Sequence, residues 1–207
     1  MFKVDSMNIT FFMFILFIFL MCSVFIIRKR LIKKAMLLEI DEDLKKWNAY
    51  IDKDTLSITF REPDVFFDVG SSEINNNFKV ILKDFFPRYI EMLYKNYKDE
   101  IEEIRIEGHT SSEWNKDDDD LQAYFKNMSL SQARSKSVLE YCMLLDSMEN
   151  YRDFLIEKAT ANGLSYSHRI IENRKENYNK SRRVEFKIKT TAEAHIDQII
   201  EAGGLNE

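Results

Sequence analysis

Arg134 closes the run Asn127-Met128-Ser129-Leu130-Ser131-Gln132-Ala133-Arg134, and upstream of it Gly108-His109-Thr110-Ser111 ends a stretch that alternates like a strand. A planar guanidinium near the start of a helix can hold a carboxylate by two parallel hydrogen bonds. Thr110 and Ser111 would share one loop and offer hydroxyls, which can bond a ligand but cannot neutralise an ammonium. The remaining chemistry-bearing residues point away from catalysis. His109 reads as a structural residue at a strand end, His168 and His195 have no nearby Cys, Asp or Glu at metal-ligand spacing, and Cys22 and Cys142 are too far apart to suggest a metal site or a disulfide framework. No nucleophile elbow, phosphate-binding loop or Ser-His-Asp arrangement is present, so no enzyme, cofactor or metal is expected.

Asp5 stands just before a long apolar run, and an ionisable group at a membrane helix is costly unless it pairs or titrates. It is therefore a candidate proton relay. Against that, residues 5–27 as a helix would span ~33 Å, which puts Asp5 among the head groups as a merely solvated acid.

The elements that must position these groups begin with that run. From Ser6 to Ile27 there is no charged side chain, and about fourteen Phe, Ile, Leu and Val residues lie between Ile9 and Ile27. At roughly -0.3 to -0.6 kcal/mol each they favour insertion by several kcal/mol, so residues 9–27 read as one transmembrane helix after a short segment 1–8. A cleaved signal peptide fits less well: the run is longer than an h-region, its basic cluster follows it, and no small-x-small cleavage site appears. Arg28, Lys29, Arg30, Lys33 and Lys34 behind the span would, by the positive-inside rule, put the rest of the chain in the cytoplasm.

With 207 residues, 45% of them hydrophobic, the chain has room for one span and one globular domain. A net charge of -5 gives no reason to expect nucleic acid. Residues 28–52 carry Leu37, Leu38, Ile40, Leu44, Trp47 and Ile51 at near-helical spacing, an amphipathic connector able to pair with a second copy. A domain over 53–190 follows. Residues 55–60 alternate as a strand; residues 74–96 make a helix, capped by Ser71 or Ser72, with an apolar stripe that Pro87 kinks or divides; residues 101–107 make the second strand. A helix over 130–145 opened by Ser129 or Ser131, a short strand over 159–163 and a last strand over 182–189 complete it, with a tail at 191–207 where Ile196, Ile199 and Ile200 allow a short helix. The order implies an α+β sandwich with helices on one face of a mixed sheet.

Several of these segments resemble, in the right order, the C-terminal domain of the OmpA and MotB family. They are Gly108-His109-Thr110, Asn127-x-x-Leu130-Ser131-x-x-Arg134, the Phe-x-x-Gly-Ser-like stretch at 65–74 and Arg182-Arg183-Val184-Glu185-Phe186. The resemblance spans about 55–190 and implies a β-α-β-α-β-β sandwich that binds peptidoglycan, where an Asp and an Arg grip the ammonium and carboxylate of a diaminopimelate residue. Arg134 stands at the Arg position and Ser111 at the Asp position; the resemblance adds Asn127, Leu130 and Thr110 as ligand contacts. Losing one charge-assisted hydrogen bond, roughly 1.5 to 3 kcal/mol, would weaken binding about ten- to a hundredfold. Glu113, Trp114 and the acids Asp117, Asp118, Asp119 and Asp120 are possible substitutes, although such an acidic run also fits a solvated loop.

The start of the chain, Asp5-Ser6-Met7-Asn8-Ile9-Thr10-Phe11-Phe12, is similar to the membrane helix of MotB-like and ZorB-like subunits. That likeness implies a homodimer within MotA-, TolQ- or ExbB-like subunits, in the bacterial inner membrane, with a periplasmic domain. Two functions follow. One is a peptidoglycan anchor, in its sharper form the MotB-like subunit of a proton-driven motor or defence complex. The other, suggested by Ser111 and the basic flank, is a cytoplasm-facing scaffold that has lost peptidoglycan and binds protein.

Overall fold

The computed structural model describes residues 6–52, 55, 57–61, 66–68, 70–114 and 119–191; Asp5, the tail beyond 191, and Asp117 and Asp118 of the acidic run lie outside them. The first element is a single helix, α1 (Ser6–Leu44), 39 residues without a Gly or Pro to interrupt it. The connector suggested over 28–52 is thus continuous with the apolar run and stops at Leu44. Asn48, with φ at +50°, turns the chain out of the helix and into a strand, β1 (Ala49–Ile51), that the sequence had suggested as helix.

Along 9–24 the apolar side chains point outward in every direction. Phe11, Phe12, Phe14 and Phe19 are each at least 60% exposed although they cannot share one face. Ser23 satisfies its hydroxyl within the helix, donating to the Phe19 carbonyl at 2.8 Å. That uninterrupted run of described side chains is sixteen residues, ~24 Å of helix. Among the described residues, no helix is long and apolar enough to cross a membrane.

The domain is an α+β sandwich built on a five-stranded sheet ordered β1-β2-β7-β3-β4. Its elements are β2 (Ile58–Arg61), α2 (Asn76–Tyr97), β3 (Ile101–His109), α3 (Asp120–Met143), a 3-10 turn (Asp146–Tyr151), α4 (Arg152–Lys158), β4 (Ala159–Gly163), the hairpin β5 (Ile171–Glu172) and β6 (Lys175–Glu176), α5 (Tyr178–Ser181) and β7 (Arg183–Thr190). β3 and β4 are parallel and the other pairings antiparallel, with Ile106 opposite Phe186 and His109 opposite Arg183. One face carries Ile58, Phe60, Ile104, Ile106, Val184 and Phe186 against Phe78, Leu82, Phe85 and Tyr89 of α2. Phe60 packs edge-on against Phe85 and Phe186 at centroid distances of 5.1 and 5.7 Å, geometry worth roughly 0.5 to 1.5 kcal/mol per pair beyond area burial.

Two helix starts differ from the sequence reading. The α2 cap is Asn75, whose side chain accepts from Phe78 N at 2.9 Å, while Ser71 accepts from Glu73 N within the preceding loop. Pro87 lies inside α2 without ending it. α3 begins ten residues earlier than expected because Asp119 caps it, accepting from Gln122 N at 2.8 Å; an acid before the first turn also complements the helix dipole.

The sheet and α3 approach each other as closely as backbones can. A Cβ on Gly108 would lie 2.4 Å from the Ser131 carbonyl oxygen, and one on Gly163 would lie 2.3 Å from Gln132 N. Gln132 staples the contact, donating to the Ala161 carbonyl at 3.0 Å and accepting from Gly163 N at 2.7 Å. Because both obstacles are backbone, Gly108→Ala and Gly163→Ala are each expected to destabilise the domain by roughly 2 to 4 kcal/mol. Denaturant melts of the two variants check this, and near-native midpoints would refute it.

Candidate functional site

The buried stripe of α3 is Ala123, Asn127, Ser131, Arg134, Ser135, Val138 and Cys142. Its spacing is helical, and its chemistry changes along the axis, polar over β3's C-terminal end and apolar toward Cys142. Ser165, in the left-handed region at φ +51°, ties the loop after β3 to this stripe. Its carbonyl accepts from Thr110 N at 2.9 Å, its N–H donates to Ser131 Oγ at 3.0 Å, and its hydroxyl donates to the Tyr124 carbonyl at 2.8 Å. Asn127 lies on α3 between the two anchor points, so the network brings Thr110 and Asn127 to the same end of the sandwich.

Two atoms there have no partner. Thr110 Oγ1 and Asn127 Nδ2 are both fully buried without a hydrogen bond among the described residues, and Thr110 and Asn127 as residues are only 4% and 2% exposed. Leaving a polar group so costs roughly 1 to 3 kcal/mol, and a native domain keeps few of them. Asn127 Nδ2 can only donate, so what it lacks is an acceptor oxygen.

Arg134 is buried one helical turn beyond Ser131 and faces the loop between β2 and α2. Nε donates to the Ser71 carbonyl at 2.8 Å, Nη2 reaches the Asp68 carbonyl at 3.3 Å, and the guanidinium lies 4.9 Å over the Phe67 ring. That loop is tight: Ser71 N donates to the Asp68 carbonyl, Phe67 bridges Ile74, and Gly70 supplies the positive φ of +71°. Arg134 therefore braces the 68–71 loop through two carbonyls. Leu130 is half-buried beside the stripe.

Ser111 is buried, and its hydroxyl donates to Glu113 Oε2 at 3.4 Å. Ser112 binds Glu176 of β6 through N–H and hydroxyl at 3.0 and 2.5 Å. Arg169 lies 3.8 Å from Glu176 and Arg182 3.4 Å from Glu113. Two carboxylates thus flank the loop that carries Ser111. Neither the Glu176 contact nor the β5–β6 hairpin that delivers it was apparent in the sequence, where 171–176 has no apolar alternation.

The opposite face of the sheet carries charge at period two. Glu103, Arg105, Glu107 and His109 of β3 run against Arg183, Glu185, Lys187 and Lys189 of β7. Glu107, His109 and Glu185 bring their ligand-type atoms within 4.8 Å of one another, a cluster the sequence reading passed over. Lys187 Nζ already sits 2.5 Å from Glu107 and 3.1 Å from Glu185, and Arg183 pairs with Glu185. An ammonium thus occupies the place a metal cation would take, and the cluster is an ion ladder. The signal that could have revealed it was the same alternation that marked residues 182–189 as a strand.

The chain belongs to the OmpA family, whose pattern matches residues 66–179. It is 44% identical over 171 residues to the Zorya protein ZorB of Escherichia coli, an alignment covering 82% of this chain and 72% of that protein. Among solved structures, a MotB-like protein from Desulfovibrio vulgaris superposes with a TM-score of 0.51 at 22% identity, covering 78% of this chain and 91% of that one. The cell wall anchor of the T6SS from Pseudomonas aeruginosa gives 0.50 at 20% identity, covering 74% and 96%. These two likenesses establish the fold.

The ion ladder makes stability depend on acidity. Burial holds the His109 imidazole below its ordinary 6.5, with Arg183 adding to the effect against the pull of Glu107. Burial alone would raise the Glu107 carboxyl, but contacts from His109 and Lys187 outweigh it and bring it to about 2. An unfolded chain protonates His109 more readily, so that contribution is complete above pH 6.5 and lost as pH falls below it. The Glu107 contribution is present above about 4.5 and lost toward 2. Urea midpoints should therefore drop in two stages on acidification, and His109→Gln should abolish the first and shrink the second, which Lys187 alone then sustains. A single stage in the unsubstituted protein would contradict this.

Proposed function

We propose that this chain is a membrane-tethered anchoring subunit of a bacterial envelope complex, and that its OmpA domain binds peptidoglycan through Arg134, Asn127, Thr110, Ser111 and Leu130. The observation that carries the reading is the pair of buried, partnerless atoms at Thr110, on the loop after β3, and at Asn127, on the same buried helix stripe as Arg134. When the loop after β3 opens over this buried end, a stem-peptide carboxylate supplies the oxygen that Asn127 Nδ2 lacks. Arg134 fixes the neighbouring loop and adds positive potential to the same end of the domain. The likeness to a ZorB and to a cell wall anchor supports the reading.

In this proposal residues 9–27 form the span, supported by their composition and by the outward-facing side chains of α1. The domain lies in the periplasm, the chain forms a homodimer among MotA-, TolQ- or ExbB-like subunits of the inner membrane, and Asp5 relays protons. A reporter after Glu207 is then active as periplasmic alkaline phosphatase and dark as a cytoplasmic fluorophore, and Asp5→Asn abolishes proton-dependent activity without disturbing insertion. Cytoplasmic fluorescence instead would favour the protein-binding scaffold suggested by the basic residues Arg28 to Lys34.

The ligand site makes a sharper demand. Asn127→Leu removes a partnerless buried amide while keeping the volume, so folding stability should stay level or rise by up to about 1 kcal/mol. Binding to purified sacculi should fall about tenfold in the same variant. Retained sacculus binding with unchanged stability would remove Asn127 from the site, and failure of the unsubstituted chain to bind sacculi would end the peptidoglycan reading.

A further inference from the structure

The wall-binding reading leaves one charge unsupplied. A ligand end carrying both a carboxylate and an ammonium needs an acid, and Ser111 offers only a hydroxyl. Among the described residues, four carboxylates stand close to Ser111 in sequence or in space, and the structure separates their roles. Asp119 is engaged as the cap of α3. Asp120 is the first residue of that helix and its carbonyl accepts the Tyr166 hydroxyl at 2.9 Å, which fixes its backbone in the helix start rather than in the loop. Glu176 is almost wholly buried, with its two oxygens held by the N–H and hydroxyl of Ser112 and with Arg169 beside it. Glu113 differs in each respect. Its side chain is half-exposed, it lies two residues from Ser111 on the same loop, and its Oε2 is 3.4 Å from Ser111 Oγ.

An aspartate at 111 would reach only one bond further than the serine hydroxyl does. Glu113 Oε2 therefore stands close to where such a carboxylate would end, brought there by a longer side chain from two positions on. We propose that Glu113 is the specificity-determining acid of this site, receiving the free ammonium of a diamino-acid stem peptide whose carboxylate is held at Asn127 and Thr110. This rests on the wall-binding reading.

Arg182 is the competing cation. Its Nη1 lies 3.4 Å from Glu113 Oε2 across a partly solvated gap, a weak pair by the standards of such contacts. It also donates to Asn179 Oδ1 at 2.6 Å, so it keeps an anchor when a ligand ammonium takes the carboxylate. Ser111 donates its hydroxyl to the same oxygen and orients it. Arg182 thus sets how strongly the site selects for a charged amine.

The test titrates the full chain in detergent with a soluble stem-peptide fragment bearing a free amine on its diamino acid, and with the same fragment acetylated at that amine. The expected preference for the free amine is about tenfold. Glu113→Gln should bind both fragments equally and melt at the unsubstituted temperature; adding Ser111→Asp to it should restore the preference, and Arg182→Gln alone should enlarge it. A preference that survives Glu113→Gln, or no preference in a chain that does bind the fragment, overturns the assignment while leaving wall binding standing. Binding of neither fragment removes the wall-binding reading itself. Should Glu113→Gln fail to fold, Arg182→Gln decides: an unchanged preference there also overturns the proposal.

Discussion

The contact that everything else depends on is the seat of α3 on β3 and β4, made possible by the missing side chains of Gly108 and Gly163. At 2.3 to 2.4 Å from a hypothetical Cβ to the helix backbone, no other residue fits without moving the helix. Moving it would cost more than packing. The helix carries Ser131, which takes the Ser165 N–H; Asn127, which waits for an acceptor; and Arg134, which holds the carbonyls of the 68–71 loop. Each of those interactions is specified to within a few tenths of an ångström by hydrogen-bond geometry, so a displaced α3 would forfeit all of them together.

The domain treats its polar groups in two opposite ways. On the outer face of the sheet the charges are paired, Glu107 with Lys187, Glu185 with Arg183 and Lys187, Arg105 with Glu103 and Glu107, although Arg105 Nε and both His109 nitrogens have no hydrogen-bond partner among the described residues. Single removals there would leave an uncompensated buried charge, the costly case. At the end of the sandwich near Ser165, two neutral groups are buried and unmatched. Neutral groups cost less to leave alone than charges, and a missing acceptor is a cost that a ligand can refund on binding. The proposed site at Thr110 and Asn127 rests on that difference.

Much of the framework was legible because it rests on periodicity. The alternation of 101–107 and 182–189 marks the two central strands, and the apolar stripe of Phe78, Leu82, Phe85, Phe86 and Leu93 marks α2, even across Pro87. The α+β class and the motifs around Gly108 and Arg134 followed from the same residues. What was illegible depends on contacts distant in sequence. The acidic run reads as solvated loop until Asp119 is found capping a helix, and residues 171–176 carry no pattern because their hairpin is held by polar contacts to Ser112 and by Glu172 with Lys180. The short strand β1 was hidden for another reason: Trp47 continues the helical apolar spacing, but it is buried through a hydrogen bond to Asp84 and an edge contact with Phe85 after the helix has ended. Arg134 was recognised as important from its motif, but its grip on Ser71 and Asp68 could not be inferred without knowing that the 68–71 loop lies across the helix.

The path from α1 to the site constrains how an anchor of this kind can be arranged. α1 meets the domain soon after its apolar run, since Tyr97 donates to the Leu31 carbonyl at 3.3 Å, and it continues beside α2 until Asp43 pairs with Arg88 at 2.7 Å. The two helices therefore run antiparallel, with the C-terminal end of α2 toward the apolar run and its N-terminal end away from it. Arg134 binds Ser71 just before that N-terminal end, so the site is displaced from Tyr97 by most of the 22-residue length of α2, ~33 Å. The ligand proposed for Asn127 would be held at the pole of the domain opposite the apolar helix, and a pull on it would pass along α2 and the Asp43–Arg88 and Trp47–Asp84 contacts into α1. Leu44 and Trp47 add apolar burial to those polar contacts, with Trp47 edge-on against Phe85, so the end of α1 is tied into the same core that Phe60 organises.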